Sequence, residues 1–289
     1  QAIICVPSPM TSSIGTPPSG PNDSNATSIP VASTVCTPTS SQARRRRVTE
    51  VEAQAVTAPR VPLLPSVALP PGWTNARAGL LFHAAIGVLA AMVLALPAPA
   101  LGLRVVGIVL AYHIGMLLVG LRPAAAGWTQ AWLVLAPLSV LMVLPDWFLS
   151  DVLGSLSFAS SGAPVIGSVS LFMAGMWVMA LFPLVLVAAG IEKAWGAWAG
   201  VVAAAVAGLA LFWAAELLAP VVPLWDPVDV RLVGGVAAYV LPAEIVLSVG
   251  TWLVVRGACW RSPLAVGAGV LALPLVYTGA LALGYQVLG

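Results

Sequence analysis

Long apolar runs follow one another along the chain from Arg77 to its end. Each is close to the twenty or so residues that an α-helix needs to cross a bilayer, and proline, glycine, tryptophan or charged residues divide them. We count seven runs, over residues 78–97, 102–121, 127–145, 165–189, 194–219, 232–255 and 264–287. The pattern predicts an all-α integral membrane protein, with a bundle of about seven transmembrane helices in residues 76–289.

One segment between the third and fourth runs has a different pattern. The third run ends at Pro145, and apolar and polar side chains alternate from Asp146 to Phe158. Amphipathic pieces of this kind lie in the interface, with their apolar face in the headgroup region. We therefore predict that residues 146–158 lie at the membrane surface and do not cross it.

The N-terminal part of the chain, residues 1–75, lacks apolar periodicity and is rich in serine, threonine and proline. A segment of this composition cannot bury enough apolar surface to fold, which predicts a disordered tail. Hydroxylated, acid-poor sequence with arginines, here Arg44–Arg47, is also typical of organelle transit peptides, and this predicts a plastid membrane. An ordinary cytosolic tail whose basic cluster faces anionic lipid is the alternative.

Composition excludes several classes of protein. The chain is 60% hydrophobic and 8% charged, whereas soluble domains carry about 25% charged residues. Its net charge is +2, but the Arg44–Arg47 cluster supplies much of the basic charge, so no nucleic-acid-binding surface is expected. The cysteines and histidines have no metal-ligand spacing, and nucleotide-binding and hydrolase motifs are absent from the sequence. We expect neither a metal nor a cofactor.

Basic residues in the short loops indicate how the bundle is oriented. With seven spans, Arg104 and Arg231 fall at one end, and the other end carries Arg77, Arg122, Lys193, Arg256 and Arg261. We call this second end the basic face and expect it to be cytoplasmic or stromal. The opposite end, the acidic face, collects carboxylates from two separate loops. They are Asp146, Asp151, Asp226 and Asp229.

Two carboxylates within the apolar runs are the first candidates for function. Glu216 lies about one turn inside the acidic face, and Glu244 lies roughly 18 Å deep, near the midplane. An ionisable side chain at such depth is unfavourable unless it is paired or hydrated, so it indicates a functional site. A hydrogen bond between helices, or a charge that extends to the interface, is the alternative for both. His113 is as deep as Glu244, and it forms either a proton relay with it or a packing hydrogen bond.

Carboxyl groups and aromatic rings in an apolar bundle suit acid–base chemistry on an apolar substrate. A carboxylic acid can protonate a double bond or a strained ring, and aromatic faces can stabilise the resulting carbocation. Glu216 is the candidate acid, and Asp146 and Asp229 are candidates to orient it or to take the proton back. The candidate substrate-binding residues are Trp147, Phe148, Trp225, Tyr239, Glu244 and His113. For the two tryptophans, a place in the aromatic belt at the membrane interface is the alternative.

Two blocks of sequence surround the candidate acids. The first runs from Asp146 to Phe158 and is followed by Pro164 and a helix centred on Phe172. The second consists of the short motifs Ala215-Glu216, Pro223-Leu224-Trp225, Asp229, Gly235, Tyr239 and Pro242. Both blocks resemble the cycloeucalenol cycloisomerases of plants and their bacterial relatives, although the histidines of the plant pattern are absent. The resemblance implies a multi-span membrane enzyme that opens the cyclopropane ring of a cyclosterol by protonation and proton loss.

These observations favour an isomerase or cyclase that acts on an isoprenoid lipid of the sterol or carotenoid kind. Its partners would be this apolar substrate and the membrane lipid around it. A non-catalytic scaffold that binds pigment or lipid, or an accessory subunit of a membrane complex, is the first alternative. A proton-coupled carrier that uses Glu244 and His113 is the second, but the seven runs show no internal repeat of the kind that many carriers have.

The loop charges generate a topological prediction. In a background without native cysteines, cysteines introduced at Asp151 and Asp229 should be labelled by an impermeant thiol reagent from one side of the membrane. A cysteine at Lys193 should be labelled from the other side. Labelling of all three from the same side would exclude the arrangement with seven spans.

Overall fold

The structure, a computed structural model, describes residues 64–219 and 221–289. The predictions of a transit peptide and of a disordered tail fall largely on residues 1–63, which lie outside the described part. The α-helices of the described part are α1 (Ala76–Leu94), α2 (Leu101–Gly120), α3 (Ala126–Leu141), α4 (Val143–Trp147), α5 (Met173–Trp195), α6 (Ala197–Leu218), α7 (Val240–Gly257) and α8 (Pro263–Leu288).

The described helices form seven spans that are long and apolar enough to cross a membrane. A 3₁₀ turn (Pro123–Ala125) leads into α3 and a π-helical turn (Phe148–Val152) follows α4, so the third span covers Pro123–Val152. Helix α5 is central, because it packs against α3 and α6 and also contacts α1, α2 and α7. Helix α8 packs between α7 and the third span. The prediction of an all-α membrane bundle with seven spans is confirmed.

Short strands connect the spans at the acidic face. They are β1 (Leu156–Phe158), β2 (Val165–Ile166), β3 (Val169–Ser170), β4 (Trp225–Pro227), β5 (Leu232–Val233) and β6 (Val236–Ala237). β2 pairs with β3 and β5 pairs with β6 in antiparallel hairpins. β1 pairs antiparallel with β4, so that Ser157 lies directly opposite Asp226. The loops after the third and fifth spans therefore meet at one end of the bundle, as the charge pattern predicted.

Three predicted boundaries of the apolar runs are wrong. The fourth and sixth runs were expected to begin at residues 165 and 232, but their helices begin at Met173 and Val240. The intervening residues form the two hairpins, whose turns hold Gly167 and Gly234 at φ 63° and 59°, a left-handed conformation that does not continue a helix. The third run was expected to end at Pro145, yet the helical backbone continues to Val152, because a transmembrane helix tolerates the missing N–H of proline. Residues 146–152 thus continue the helix of the third span, and no separate helix begins at Asp146.

The two hairpins belong to a structural repeat with a constant offset of 67 residues. Val165 pairs with Ser170, and Leu232 pairs with Ala237 in the same register. Each hairpin is closed by an equivalent backbone hydrogen bond of 2.8 Å, from Leu171 N to Pro164 O and from Ala238 N to Arg231 O. Phe172 and Tyr239 then precede α5 and α7 with the same helical backbone conformation. The sequence analysis did not detect this repeat, because it lies in backbone geometry that few identical side chains mark.

Residues 64–75 also belong to the bundle. Trp73 is fully buried, its Nε1–H donates a hydrogen bond to Gly127 O, and its ring centroid lies 6.2 Å from that of Trp252. Pro65 O accepts a hydrogen bond from the Arg256 guanidinium. Burial of a tryptophan side chain offsets the entropy of ordering a short segment. The predicted boundary of the tail at residue 75 is therefore too late, since residues 64–75 belong to the same compact unit as the helices.

The β1–β4 pair generates a test of this arrangement. Directly opposite residues in an antiparallel pair have Cα atoms about 4.5–5.5 Å apart, which is within the range that a disulfide can bridge. Ser157→Cys combined with Asp226→Cys, in a background without native cysteines, should therefore form a disulfide under mild oxidation. The mobility shift on a non-reducing gel measures it, and each single cysteine variant is the control. Failure of the double variant to cross-link would exclude the pairing of the two loops.

Candidate functional site

Asp146 is the buried carboxylate of the third span. It lies in α4 and is almost fully buried. Trp177, from the start of α5, donates its indole N–H to Oδ2 of Asp146 at 3.0 Å. The hydrogen bond exists because the helix continues through Pro145 and turns the carboxylate inward. An interfacial helix, as the alternation of residues 146–158 suggested, would have exposed it.

Glu216 lies near the end of α6 and is half-buried. Its Oε1 accepts a hydrogen bond of 3.1 Å from the indole N–H of Trp225, the first residue of β4. Two of the candidate residues, Glu216 and Trp225, are therefore in direct contact.

Glu244 is the third carboxyl group of the site. It lies in α7 and is 4% exposed, and its Oε2 has no hydrogen-bond partner among the described residues. The hydroxyl of Ser248 binds the backbone oxygen of Glu244 and not its carboxyl group. Glu216 lies within electrostatic range of Glu244. Two carboxyl groups from neighbouring spans therefore face a common region.

Aromatic rings that the sequence analysis missed complete this region. The ring centroid of Trp177 lies 5.7 Å from that of Phe212 in α6 and 6.0 Å from that of Tyr277 in α8. Tyr277 is buried and lies within electrostatic range of Glu244 and of Asp146. The sequence did contain a signal for Tyr277. Tryptophan and tyrosine concentrate at membrane interfaces, whereas Tyr277 lies deep within its run. We call Asp146, Glu216, Glu244, Trp177, Phe212 and Tyr277 the carboxyl cluster.

No described residue supplies a counter-charge to the carboxyl cluster. Within residues 64–219 and 221–289, the ion pair found is that of Glu192 with Arg256, with an N–O distance of 2.7 Å. Glu192 ends α5 and Arg256 ends α7, so this pair lies at the basic face. The described part also contains no group of three histidine, cysteine or acidic side chains that could hold one metal ion.

Tyr239 connects the carboxyl cluster to the loops above it. It is buried, and its hydroxyl forms a hydrogen bond of 2.9 Å with Ser155 Oγ in the loop after the third span. Burial raises the pKa of the Tyr239 hydroxyl to about 12. The charges of Glu216 and Glu244 act in the same direction, and the bond to Ser155 acts against them.

The remaining predicted site residues lie outside the carboxyl cluster. Asp229 is exposed in the loop before β5, at a φ of 48°. Trp147 is 44% exposed and its ring lies beside Gly167 of the first hairpin. Phe148 is half-buried and packs against the main hydrophobic core. The structure does not bring these three side chains to the buried carboxyl groups.

His113 has two hydrogen-bond partners elsewhere. Its Nδ1 accepts a bond of 2.9 Å from the indole N–H of Trp132, so its Nε2 carries the proton and donates to Gly175 O at 3.0 Å. Through these partners the imidazole ring joins α2, α3 and α5. Among the described residues, His113 has no hydrogen bond to Glu244. The geometry agrees with the packing role rather than with a direct relay.

The pKa of Tyr239 predicts a change of stability in alkali. The folded state favours the neutral phenol, so stability is complete below pH 10 and decreases as the pH rises from 10 towards 12. The loss amounts to about 2 kcal/mol. Tyr239→Phe should be less stable than the wild type by about 1 kcal/mol at neutral pH, but it should lack this part of the alkaline decrease. Denaturant unfolding in detergent between these pH values measures the difference, and parallel curves for the two proteins would contradict it.

Comparison with known proteins places this region in a family. No curated protein and no solved structure matches the chain. A family model described as a domain of unknown function, DUF6989, matches residues 143–288, about half of the chain. The match begins with α4 and contains both hairpins of the repeat and every member of the carboxyl cluster. The chain belongs to the DUF6989 family.

Proposed function

We propose that the protein is a membrane-embedded isomerase or cyclase that acts on an isoprenoid lipid, by protonating carbon and then removing a proton. One observation carries the proposal. Three spans bring Asp146, Glu216 and Glu244 to one region of the bundle, beside aromatic rings and without a described counter-charge. Apolar surroundings favour a neutral carboxylic acid, which is a proton donor.

The proposed isomerisation needs a proton donor, a proton acceptor and a surface that stabilises positive charge. The O–H bond of a carboxylic acid breaks, and its proton forms a C–H bond with the electron pair of a double bond or a strained ring. The carbocation lies against the faces of Trp177, Phe212 or Tyr277, which attract cations. A carboxylate then removes a proton from a neighbouring carbon and a double bond forms, so that the product is an isomer of the substrate.

The substrate class follows from the surroundings of the site. The seven spans present apolar outer surfaces, so a substrate dissolved in the bilayer needs no aqueous path to the bundle. The resemblance to cycloeucalenol cycloisomerases supports a cyclosterol, and a carotenoid-like chain would meet the same requirements. A plastid membrane remains the predicted location, although the residues that suggest it lie outside the described part.

The decisive experiment uses solvent deuterium. Protein reconstituted in lipid nanodiscs is incubated in D₂O with a cyclopropane-containing sterol or with a linear carotenoid, and the extracted lipids are analysed by mass spectrometry. Protonation of carbon should give an isomer that carries deuterium from the solvent. Asp146→Asn and Glu216→Gln keep the side-chain shape and should lower the rate about 100-fold or more, the scale for losing a general acid or base. Asp226→Asn, an exposed carboxylate on β4, is the matched control and should retain the rate.

The same experiment distinguishes the alternative functions. A pigment or lipid that copurifies with the protein and returns unlabelled from D₂O would favour the binding scaffold. Equal rates in all three variants would show that neither Asp146 nor Glu216 takes part in the reaction. Either result would contradict the proposed acid–base chemistry.

A further inference from the structure

The structural repeat places Trp177 and Glu244 at equivalent positions. Trp177 is the fifth residue after Phe172, and Glu244 is the fifth residue after Tyr239. Because the two preceding hairpins have the same register and the two helices start with the same backbone conformation, these two side chains leave their helices at the same depth. They also point in the same direction relative to their own hairpin.

The contact made by Trp177 shows which group lies in this direction in the first repeat. Its indole N–H binds the carboxylate of Asp146, which lies near the end of the preceding span. In the second repeat the preceding span is α6. Trp213 occupies the position equivalent to Asp146, and Glu216 follows it by about one turn near the end of α6. The first repeat therefore joins a hydrogen-bond donor to an acid, whereas in the second repeat Glu244 lies within electrostatic range of another acid, Glu216.

The hydrogen-bond partners of these two acids differ. Glu216 Oε1 accepts a hydrogen bond from Trp225, and a donor to a carboxylate favours the ionised form. Glu244 Oε2 is buried without such a donor among the described residues. Two neighbouring carboxyl groups without a counter-charge do not both ionise, and they hold one proton between them. The hydrogen bonds place the negative charge on Glu216 and the proton on Glu244.

We propose that Glu244 is the catalytic proton donor of this site and that Glu216 is its paired proton acceptor. This assignment rests on the proposed function and deepens it, and it differs from the sequence-based expectation that Glu216 is the acid. Asp146, which accepts the indole N–H of Trp177, is the third carboxyl group beside the cation. The first repeat thus supplies a hydrogen-bonded carboxyl group, and the second repeat supplies the proton.

Glu244 and Glu216 together supply and recover the proton that the catalytic cycle uses. The Glu244 O–H bond breaks and its proton forms the new C–H bond of the substrate, which becomes a carbocation. The Glu216 carboxylate removes a proton from the neighbouring carbon, and that C–H electron pair becomes the new double bond. The proton then passes from Glu216 to Glu244, which restores the starting state without an external oxidant or reductant.

Infrared spectroscopy tests the assignment without a substrate. A protonated carboxyl group has a C=O stretching band that is distinct from carboxylate bands and shifts in D₂O. Reconstituted wild-type protein at neutral pH should show such a band. Glu244→Gln should lose it, whereas Glu216→Gln and Asp146→Asn should retain it. A band that persists in Glu244→Gln, or a wild-type protein without the band, would overturn the assignment.

A second variant covers a failure of Glu244→Gln to fold, which circular dichroism would reveal. Glu244→Asp keeps the carboxylic acid but changes its surroundings, so the band should move, whereas Glu216→Asp should leave its position nearly unchanged. A band that moves only in Glu216→Asp would place the proton on Glu216 and overturn the assignment.

Activity provides the separate readout of the proposed function. In the deuterium experiment Glu244→Gln should incorporate label at least about 100-fold more slowly than the wild type. If wild-type protein shows the Glu244 band but converts no isoprenoid, the proposed function fails and the protonated pair stands. If it converts substrate and Glu244→Gln does so at the same rate, the proposed function stands and Glu244 is not the donor.

Discussion

A carboxyl group withdrawn from water needs a counter-charge, a hydrogen-bond donor or a proton, and this requirement organises the interior of the bundle. Four acidic side chains of the described spans are buried or half-buried. They are Asp146, Glu192, Glu216 and Glu244. One is paired with Arg256 at the basic face, and two accept hydrogen bonds from Trp177 and Trp225. Glu244 has neither kind of partner among the described residues. These differences separate the structural ion pair at the basic face from the carboxyl cluster.

The repeat explains how a site with unequal carboxyl groups arises from similar backbone units. Each unit consists of a span, a hairpin and a second span, and the units join through the antiparallel β1–β4 pair. Antiparallel pairing also provides backbone partners for loops at the membrane surface, where unpaired N–H and C=O groups are unfavourable. Similar backbones fix similar depths for equivalent side chains. The equivalent position holds tryptophan in one unit and glutamate in the other, so one unit has a hydrogen-bond donor where the other has a second carboxyl group.

The predicted site differs from the structure in depth as well as in contacts. Glu244 was expected near the midplane, but α7 begins at Val240, so Glu244 lies about one turn inside the acidic face, at the same end of the bundle as Glu216. Asp229 shares that end but is exposed, since the turn before β5 directs it away from the helices. His113 was expected at the depth of Glu244, yet it lies in the middle of α2, where its ring is held by Trp132 and Gly175. Trp177 and Tyr277 were missed because an apolar run gives no indication of which of its faces points inward.

The sequence by itself determined the class of the protein and its seven spans, because the length and hydropathy of each run are set by the thickness of the bilayer. Because successive loops lie at opposite ends of the bundle, the sequence also determined which charged residues share a face. Only the tertiary structure decided that residues 165–172 and 232–239 precede their helices, since their apolar character suits a short hairpin as well as a helix and the glycine turns resolve the choice. It also decided which carboxyl groups have partners. Hydrogen bonds between spans depend on the rotation and packing of whole helices, and no local pattern in the chain specifies these.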